Sequence, residues 1–312
     1  MDNKVLPLVY VGIINYNGLK HLSYCIPSVI KLDYKQLFIS VIDNASTDES
    51  IAFLNINFPL INVIKSNKNN GYTGAANKII EEAVKKKAKY TLIITNDMIL
   101  DSRILTYSVK VAEKYPEVAI IGYKIYGKSI FEPISSFEKA SDKWVNLKYR
   151  QDEGIDGAAM FVQTDIADKI GGFDDKYFMY AEETDFQFRI KKAGFIFMRL
   201  NLPIWHNAGQ SDEKTSWFIS WLSMRNEMRY AIKNFGFKKG LLTFKSLVNR
   251  SCNPFLSKEI LSQRIIKRSR PSSLIANFIV VLAAFFWNVK NLRKTILIRN
   301  NDKDLIEKLK VK

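Results

Sequence analysis

The first 130 residues alternate between short apolar segments and longer segments of mixed polarity, and this alternation limits the possible folds more than any other feature. The short segments are rich in Val, Ile and Leu, which is typical of strands buried on both faces of a parallel sheet. Repeated strand–helix units predict an α/β fold with a largely parallel sheet. The predicted strands are 8–14, 38–42, 61–65, 90–95 and 118–123, and the predicted helices between them are 19–31, 47–58, 73–89 and 102–115.

The pattern changes after residue 131. Residues 132–153 are polar, aromatic and irregular, which predicts a long loop or a short antiparallel excursion over a site. Regular structure returns at Gly157, and from residue 215 onward the sequence is helical. The predicted elements between these points are strands 158–163 and 195–200 and helices 165–170 and 182–193.

The positive charge of the chain is concentrated near its end. Residues 238–312 contain 17 lysine and arginine residues and four acidic ones, a net charge of +13 out of +16 for the whole chain. A strongly basic segment favours a negatively charged partner, and nucleic acid and an anionic membrane surface are the two candidates. Two cysteines are too few for a disulfide framework, and no charged leader with an apolar stretch opens the sequence. We therefore expect a cytoplasmic protein.

Residues 274–289 form the most apolar stretch, and basic residues flank it on both sides. The stretch is shorter than the roughly 20 residues that a membrane-spanning helix needs. Three alternatives stay open from the sequence: a buried core helix, a helix lying in a membrane interface, and a membrane span.

Polar clusters follow four of the predicted strands. Ligands of open parallel sheets bind outside the carboxyl ends of the strands, where an Asp can accept hydrogen bonds from a ribose and an aromatic ring can stack on a base. A glycine-containing turn brings backbone N–H groups close to a phosphate at a helix N-terminus. The four clusters together predict a nucleotide site at residues 15–17, 43–48, 69–77 and 95–97.

Several catalytic motifs are absent from the sequence. There is no G-x-G-x-x-G after the first strand and no G-x-x-x-x-G-K-[ST], which argues against a dinucleotide oxidoreductase and a P-loop nucleotidase. Only two histidines and no recognisable nucleophile elbow argue against a hydrolytic triad.

Acidic residues and one histidine mark the second half of the chain. Glu182, Glu183 and Asp185 are crowded at a predicted helix start, and two alternatives stay open for them. They either only interact favourably with the helix dipole, or their mutual repulsion raises the proton affinity of one carboxylate and suits it to act as a general base. His206 and Asp97 on a neighbouring strand end could together bind Mg²⁺ or Mn²⁺ through nitrogen and oxygen.

The series of motifs resembles the family 2 glycosyltransferases with a GT-A fold, in particular the bacterial branch of rhamnosyltransferases and galactofuranosyltransferases. The resemblance covers about residues 5–235, and its specificity comes from the order of the motifs. The matching segments are 11–18, 41–48, 69–77, 95–97, 157–161, 171–185 and 205–206.

The resemblance implies a role for each matching residue. Tyr16 and Asp43 would hold the base and ribose of a nucleoside-diphosphate sugar, and Asp97 and His206 would bind a divalent cation at its diphosphate. Glu183 would be the catalytic base, with Glu182 and Asp185 as alternates or supporting groups. The remaining donor-site residues would be Asn17, Asn69, Gly71, Asn77, Asn96, Gly157 and Ala158, with residues 144–149 near the acceptor.

Two positions depart from the family pattern. Thr95 replaces the first acid of the D-x-D element, so cation binding would depend on Asp97, His206 and the diphosphate. Glu183 replaces an Asp at the position of the base, and its extra methylene moves the carboxylate by roughly an ångström, which matters for a reaction that depends on alignment.

The resemblance implies an inverting glycosyltransferase with a catalytic domain at 1–235 and a basic helical extension at 236–312. Its donor would be a UDP- or dTDP-linked sugar, with rhamnose preferred, and its acceptor a lipid-linked or growing surface polysaccharide. The +13 charge of the extension and its apolar stretch at 274–289 predict, independently of the resemblance, that it holds the enzyme at the inner face of the bacterial membrane, and no nucleic-acid partner is expected. Two alternatives stay open: a non-catalytic protein that binds polyanions through its basic tail, and a nucleotidyltransferase on a similar sheet.

Overall fold

The computed structural model describes residues 5–127, 138–139, 148–207, 216–252 and 274–310. Its contacts divide the chain into two compact units. Unit 1 comprises Met1–Phe178, Phe186–Gly209 and Ile306–Lys312, and unit 2 comprises Met179–Asp185 and Gln210–Leu305.

The helices and strands follow the predicted α/β order. They are β1 (Val9–Asn15), α1 (Leu19–Ile30), β2 (Leu37–Asp43), α2 (Ser50–Asn57), β3 (Asn62–Lys65), α3 (Gly71–Lys85), β4 (Tyr90–Thr95), β5 (Met98–Leu100), α4 (Ile104–Lys114), β6 (Val118–Tyr126), β7 (Tyr149–Asp152), β8 (Ala159–Gln163), α5 (Thr164–Lys169), α6 (Glu182–Lys192), β9 (Ile196–His206), α7 (Ser216–Phe235), α8 (Phe237–Cys252), α9 (Leu274–Lys290) and α10 (Leu292–Leu309).

The described strands form one nine-stranded sheet in unit 1, with the order β3-β2-β1-β4-β8-β6-β9-β5 and with β7 also paired to β9. The first four strands in this order are mutually parallel, as predicted. β8 runs antiparallel to both β4 and β6, whereas β6 and β9 are parallel. The α/β fold class and the helical C-terminal region are confirmed, and the second half of the sheet is more mixed than the sequence indicated.

Three strand assignments differ from the sequence prediction. β5 has three residues, too few for any hydrophobic period to show. β9 continues to His206 rather than ending at residue 200, although it contains Pro203, which normally argues against a strand. Pro203 lies beside a register irregularity between β6 and β9, where its missing N–H is tolerated. Within the predicted loop, Tyr149–Asp152 forms β7, and residues 144–147 lie outside the described part of the chain.

The core of unit 1 consists of apolar side chains on the buried strands and on the faces of α1 and α4 that pack against them. Val9, Val11 and Ile13 on β1 are fully buried, because β1 lies between β2 and β4. Burial on both faces explains the continuous apolar sequence of β1. The rigid sheet fixes the positions of the polar residues at its edge.

Unit 2 is helical and has its own apolar core. The core contains Met224 and Met228 of α7, Leu247 of α8, and Val281 and Ala284 of α9. The apolar face of α7 therefore packs against α8 and α9. For this reason the contacts group α7 with the C-terminal helices, whereas the sequence predicted a boundary after residue 235.

Helix α9 contains the apolar stretch predicted at 274–289. One side of it packs in the core of unit 2, and the other side exposes Ile275, Ile279 and Phe286 with 75%, 59% and 64% of their surface accessible. Among the described residues no single helix is long and apolar enough to cross a membrane. Two consecutive helical segments are long and apolar enough for a membrane span only when they are taken together, by length and composition alone. They are Ile275–Lys290 and Leu292–Leu309, and the chain bends by 64° at the break between them.

Candidate functional site

The carboxyl ends of β1, β2 and β4 lie side by side, and hydrogen bonds join the side chains there. Asn15 pairs in register with Asp43, and both are buried. The amide of Asn15 donates to Oδ1 of Asp43 at 2.9 Å, and its own oxygen accepts from Nδ2 of Asn96 at 2.6 Å. Asn15 therefore links the ends of all three strands and orients the Asp43 carboxylate.

The turn after β2 closes over Asp43. The backbone N–H of Ser46 donates to Oδ2 of Asp43 at 3.0 Å, and the Ser46 hydroxyl accepts from the N–H of Asn17 at 2.9 Å. Asn17 has a φ of 47° and accepts from the N–H of Thr47 at 2.7 Å. Tyr16 lies beside this turn with 48% of its surface exposed, so its ring is accessible for stacking.

Gly18 permits the close approach of these side chains at the start of α1. A Cβ at this position would lie 1.7 Å from Nδ2 of Asn96 and 2.5 Å from Oδ1 of Asn15. Any larger residue would separate the two amides that form the hydrogen bond. The glycine is therefore a steric requirement of the strand-end network.

A second group of asparagines shapes the turn before α3. Nδ2 of Asn44 donates to Oδ1 of Asn69 at 2.9 Å and to the carbonyl of Gly71 at 3.0 Å. The N–H of Asn70 donates to Oδ1 of Asn44 at 2.9 Å. Gly71 has a φ of 70°, and a Cβ there would lie 2.3 Å from the carbonyl oxygen of Phe178. The turn thus packs directly against the segment that precedes α6.

Asn77 secures that same segment to α3. Its amide donates to the carbonyl of Phe173 at 2.9 Å and to Asp175 at 2.8 Å, and its oxygen accepts from the N–H of Phe173 at 2.7 Å. The side chains of Asn69 and Asn77 therefore form hydrogen bonds within the protein. The structure places both at the predicted edge, where they hold the surrounding backbone.

Asp97 and His206 lie next to each other because β5 pairs with the end of β9. Nε2 of His206 is 3.2 Å from Oδ2 of Asp97, and the Thr95 hydroxyl donates to Oδ1 of Asp97 at 2.5 Å. Burial raises the pKa of Asp97, but the hydrogen bond and charge of His206 and the Thr95 hydroxyl outweigh it, so this pKa lies below its ordinary value. The carboxylate is therefore ionised at neutral pH.

The donor atoms of this pair fit a divalent cation. Bonds of about 2.1 Å at right angles place two ligands of an octahedral ion about 3 Å apart, close to the observed 3.2 Å. Nδ1 of His206 is buried and has no hydrogen-bond partner in the described part of the chain. No group of three or more His, Cys, Asp or Glu side chains suited to a metal occurs among the described residues. Further ligands would have to come from the substrate.

Gly157 and Ala158 border the same edge from the opposite direction, because β8 is antiparallel and begins where β4 ends. The N–H of Thr95 donates to the carbonyl of Ala158 at 3.1 Å, and the Tyr72 hydroxyl donates to the carbonyl of Gly157 at 2.5 Å. The structure thus places Ala158 beside Thr95 and Gly157 beside Tyr72.

The predicted acidic cluster lies in unit 2, at the first turn of α6. Glu182 is buried, and one of its carboxylate oxygens has no partner among the described residues. Burial, with a smaller contribution from the Glu183 charge, raises the pKa of Glu182 to about 8. Asp185 is fully buried and accepts from Lys233 at 2.7 Å and from Asn234 at 3.0 Å. Glu183 is half-buried in the same turn.

Residues 10–164 match the sequence model of Glycosyl transferase family 2. The chain carries a glycosyl transferase family 2 domain. Asp43, Asp97, Gly157 and Ala158 lie inside the matched residues of this family 2 domain, whereas the acidic turn of α6 and His206 follow it in sequence. No curated protein sequence matches the chain.

Two solved structures with a similar fold carry bound nucleotides and Mn²⁺. One is the mannosyltransferase PcManGT from Pyrobaculum calidifontis, in complex with GDP-Man and Mn²⁺, with a TM-score of 0.56 and 14% identity over 92% of this chain and 89% of that chain. Another is GalNAc-T7 with UDP, GalNAc and Mn²⁺, with a TM-score of 0.58 and 12% identity over 93% of this chain and 58% of that chain. At these identities the similarity establishes the fold, which is GT-A, around the family 2 domain.

Sequence reasoning included three further residues of this edge in the predicted site ranges but gave none of them a role of its own. Asn15, Asn44 and Ser46 make the hydrogen bonds that orient Asp43 and the turn before α3. All three stand directly after or at the end of predicted strands, and that position was the available signal. Which of the many strand-end amides point inward depends on the register of the sheet, and no local pattern reveals it.

Proposed function

We propose that this protein transfers a sugar from a nucleoside-diphosphate donor to a hydroxyl group of an acceptor, with inversion at the anomeric carbon. The observation that carries the proposal is the arrangement of Asp43 and the Asp97–His206 pair at one edge of a family 2 domain. The ligands named for the two similar structures, GDP-Man and UDP, both contain a nucleoside diphosphate.

The donor site follows from the strand-end network. The Asp43 carboxylate accepts hydrogen bonds from the nucleoside, and the exposed ring of Tyr16 stacks on its base. Asp97 and His206 would hold a divalent cation, Mg²⁺ or Mn²⁺, beside the donor. Such a cation would supply stabilisation of the charge that develops on the leaving diphosphate.

The acceptor hydroxyl is activated by Glu183. The carboxylate takes the hydroxyl proton as the hydroxyl oxygen forms its bond to the anomeric carbon. The bond from that carbon to the diphosphate oxygen breaks, and the electron pair leaves with the nucleoside diphosphate. Attack from the face opposite the leaving group inverts the anomeric configuration. Because burial raises the pKa of Glu182 to about 8, this neighbour stays protonated at pH 7 and adds no second negative charge beside Glu183.

The resemblance to rhamnosyltransferases makes dTDP-rhamnose our preferred donor, with UDP-linked sugars as the other candidates. A lipid-linked or growing surface polysaccharide is the proposed acceptor. These choices depend on the family resemblance, and the donor panel described below tests them.

The C-terminal helices are proposed to bind the inner face of the cell membrane. Ile275, Ile279 and Phe286 form an exposed apolar face on α9, and Lys290 at its last position and Lys294 in α10 are exposed as well. An apolar face next to cationic side chains favours a surface of anionic lipids.

Nucleoside-diphosphate release tests the proposed reaction. The full-length protein would be incubated with dTDP-, UDP- and GDP-sugars, a crude lipid-linked acceptor and Mn²⁺, alongside the Glu183→Gln variant. We expect release from one donor that requires acceptor and falls about 10²- to 10⁴-fold in the variant. Glu117→Gln, at an exposed position, is the matched control. Equal release by wild type and Glu183→Gln would exclude Glu183 as the base.

Vesicle flotation tests the membrane surface separately. We expect the protein to float with vesicles of phosphatidylglycerol and phosphatidylcholine and not with phosphatidylcholine alone. The double variant Ile279→Asp and Phe286→Asp should lose flotation, whereas Leu60→Asp, at an exposed site in unit 1, should keep it. Equal flotation of both variants would contradict the proposal.

A further inference from the structure

The segment Met179–Asp185, which leads into the first turn of α6, has an unusual backbone. Tyr180 and Ala181 have φ values of 72° and 64°, and neither is a glycine. Side chains with a Cβ rarely adopt this left-handed conformation, and it persists only where surrounding contacts hold it. The same compact unit contains this segment, helices α7 to α9 and helix α10 as far as Leu305. The contacts that hold the segment should therefore lie in those helices.

One set of contacts comes from Asn226 on α7. Nδ2 of this buried residue donates to the carbonyls of Met179 and Tyr180 at 2.8 and 2.7 Å. Its Oδ1 accepts from the Arg225 guanidinium at 2.8 and 2.6 Å, which requires the amide nitrogen to face the segment. Asn226 thus fixes the two peptide groups at which the backbone enters the left-handed region.

A second set of contacts comes from a buried group of charges. Nζ of Lys233 lies 2.7 Å from Oδ2 of Asp185 and 2.8 Å from Oδ2 of Asp302 on α10. The other Asp185 oxygen accepts from Nδ2 of Asn234 at 3.0 Å. The side chains of Lys233 and Asp185 are fully buried, so these contacts operate in a region of low dielectric constant.

A gain in stability alone does not explain why Lys233, Asp185 and Asp302 are buried together. Removing three charges from water has a high desolvation cost, and replacing a buried ion pair by apolar residues of similar size is often neutral or stabilising. What such a group does provide is orientation, because both oxygens of Asp185 have fixed partners. Asp185 lies in the first turn of α6 together with Glu182 and Glu183.

We propose that Lys233 is a positioning residue that, through Asp185, fixes the first turn of α6 and its Glu182 and Glu183 carboxyl groups to the C-terminal helix α10. This inference builds on the proposed function, since Glu183 is the proposed base. It gives residues 292–305 a part in catalysis that is distinct from membrane binding. Displacement of a base by about an ångström is enough to lower a rate substantially.

The kinetic test uses Lys233→Met and Asp302→Asn in the full-length protein, with Lys245→Met as an exposed control on α8. We expect kcat to fall at least tenfold in Lys233→Met and by a smaller factor in Asp302→Asn. The dissociation constant for the nucleoside diphosphate should stay within twofold of wild type, because the residues of that site belong to unit 1. Asp302→Asn preserves the shape of the side chain and serves as the second variant if Lys233→Met does not fold.

Amide hydrogen exchange provides a readout that needs no substrate. Peptides covering residues 179–186 should exchange faster in Lys233→Met and Asp302→Asn than in wild type, while peptides from the rest of α7 and α8 should not change. Uniformly faster exchange throughout α7 and α8 would indicate a purely structural role and overturn the proposal. Unchanged kcat and unchanged exchange in both variants would also overturn it. If wild type turns over no donor, the proposed function fails, and the exchange data still decide whether Lys233 positions the segment.

Discussion

Nε2 of His206 lies 3.2 Å from Oδ2 of Asp97, at the point where the last residue of β9 meets the start of β5. The two donor atoms are separated by about the distance expected between neighbouring ligands of one cation. Antiparallel pairing of Met98 with His206 fixes this arrangement through the backbone. The pair is thus formed before any substrate binds.

Substitution of either member of this pair should weaken metal binding. We expect Asp97→Asn and His206→Gln each to raise the dissociation constant for Mn²⁺, measured by electron paramagnetic resonance with saturating nucleoside diphosphate, by about 10- to 100-fold or more. Asp165→Asn, an exposed aspartate on α5, should bind as wild type does. Wild-type affinity in both site variants would show that the cation binds elsewhere.

Gly18→Ala should damage the donor site for a purely steric reason. The added Cβ would collide with the Asn96 and Asn15 amides, and the hydrogen bond between them would be lost. We expect the dissociation constant for UDP, GDP or dTDP, whichever binds wild type, to rise about tenfold in calorimetry, which is about 1.4 kcal/mol. Gly154→Ala is the matched control, since its Cβ would come no closer than 3.7 Å to a neighbouring atom. Similar affinities for the two variants would contradict the prediction.

Asp43→Asn should reduce both nucleotide affinity and stability. The substitution removes a charged acceptor from the buried Asn15 amide and the Ser46 N–H. We expect a loss of about 1–3 kcal/mol in the free energy of unfolding and at least a tenfold loss of nucleotide affinity. Urea denaturation and calorimetry measure the two effects, with exposed Asp33→Asn as the control. A fully stable variant with normal affinity would remove Asp43 from the proposed site.

Glu182 should make stability depend on pH. Burial raises its pKa in the folded protein to about 8, well above the ordinary value of 4.5 for a glutamate. The folded state therefore retains a proton that the unfolded state releases, so the free energy of unfolding should fall as pH rises from about 4.5 to 8. Each unit of difference in pKa corresponds to about 1.4 kcal/mol.

Glu182→Gln should lose much of this pH dependence, because the amide stays neutral throughout. Urea denaturation of wild type and variant at pH 5, 6.5 and 8 measures the effect, with exposed Glu117→Gln as the control. Parallel pH profiles for wild type and Glu182→Gln would show that Glu182 ionises normally in the folded state.

The sequence was sufficient to predict the strands in the first half of the sheet. Strands such as β1 are buried on both faces and read as continuous apolar runs, and the polar clusters at their ends indicated where a ligand site lies. The resemblance also indicated that Asp97 and His206 act together. The contact between them depends on β5, which is too short to predict, and on the extension of β9 past Pro203.

The arrangement around Asp185 could not be predicted either, and the reason is different. Lys233 and Asp302 stand in amphipathic helices whose charged residues normally face solvent, and nothing local distinguishes these two from their exposed neighbours. Their burial results from the packing of the helices of unit 2 against one another. The positive φ values of Tyr180 and Ala181 are likewise imposed by contacts distant in sequence.

The side chains that hold the strand ends together are mostly amides. Asn15, Asn44, Asn69, Asn77 and Asn96 do not change charge at any physiological pH, so the hydrogen bonds they make keep the same donors and acceptors in mildly acidic and mildly alkaline solution. These amides therefore contribute no ionisable group to the strand ends in this range. A pH–rate profile should then report chemistry at the reacting groups, with the framework around them unchanged.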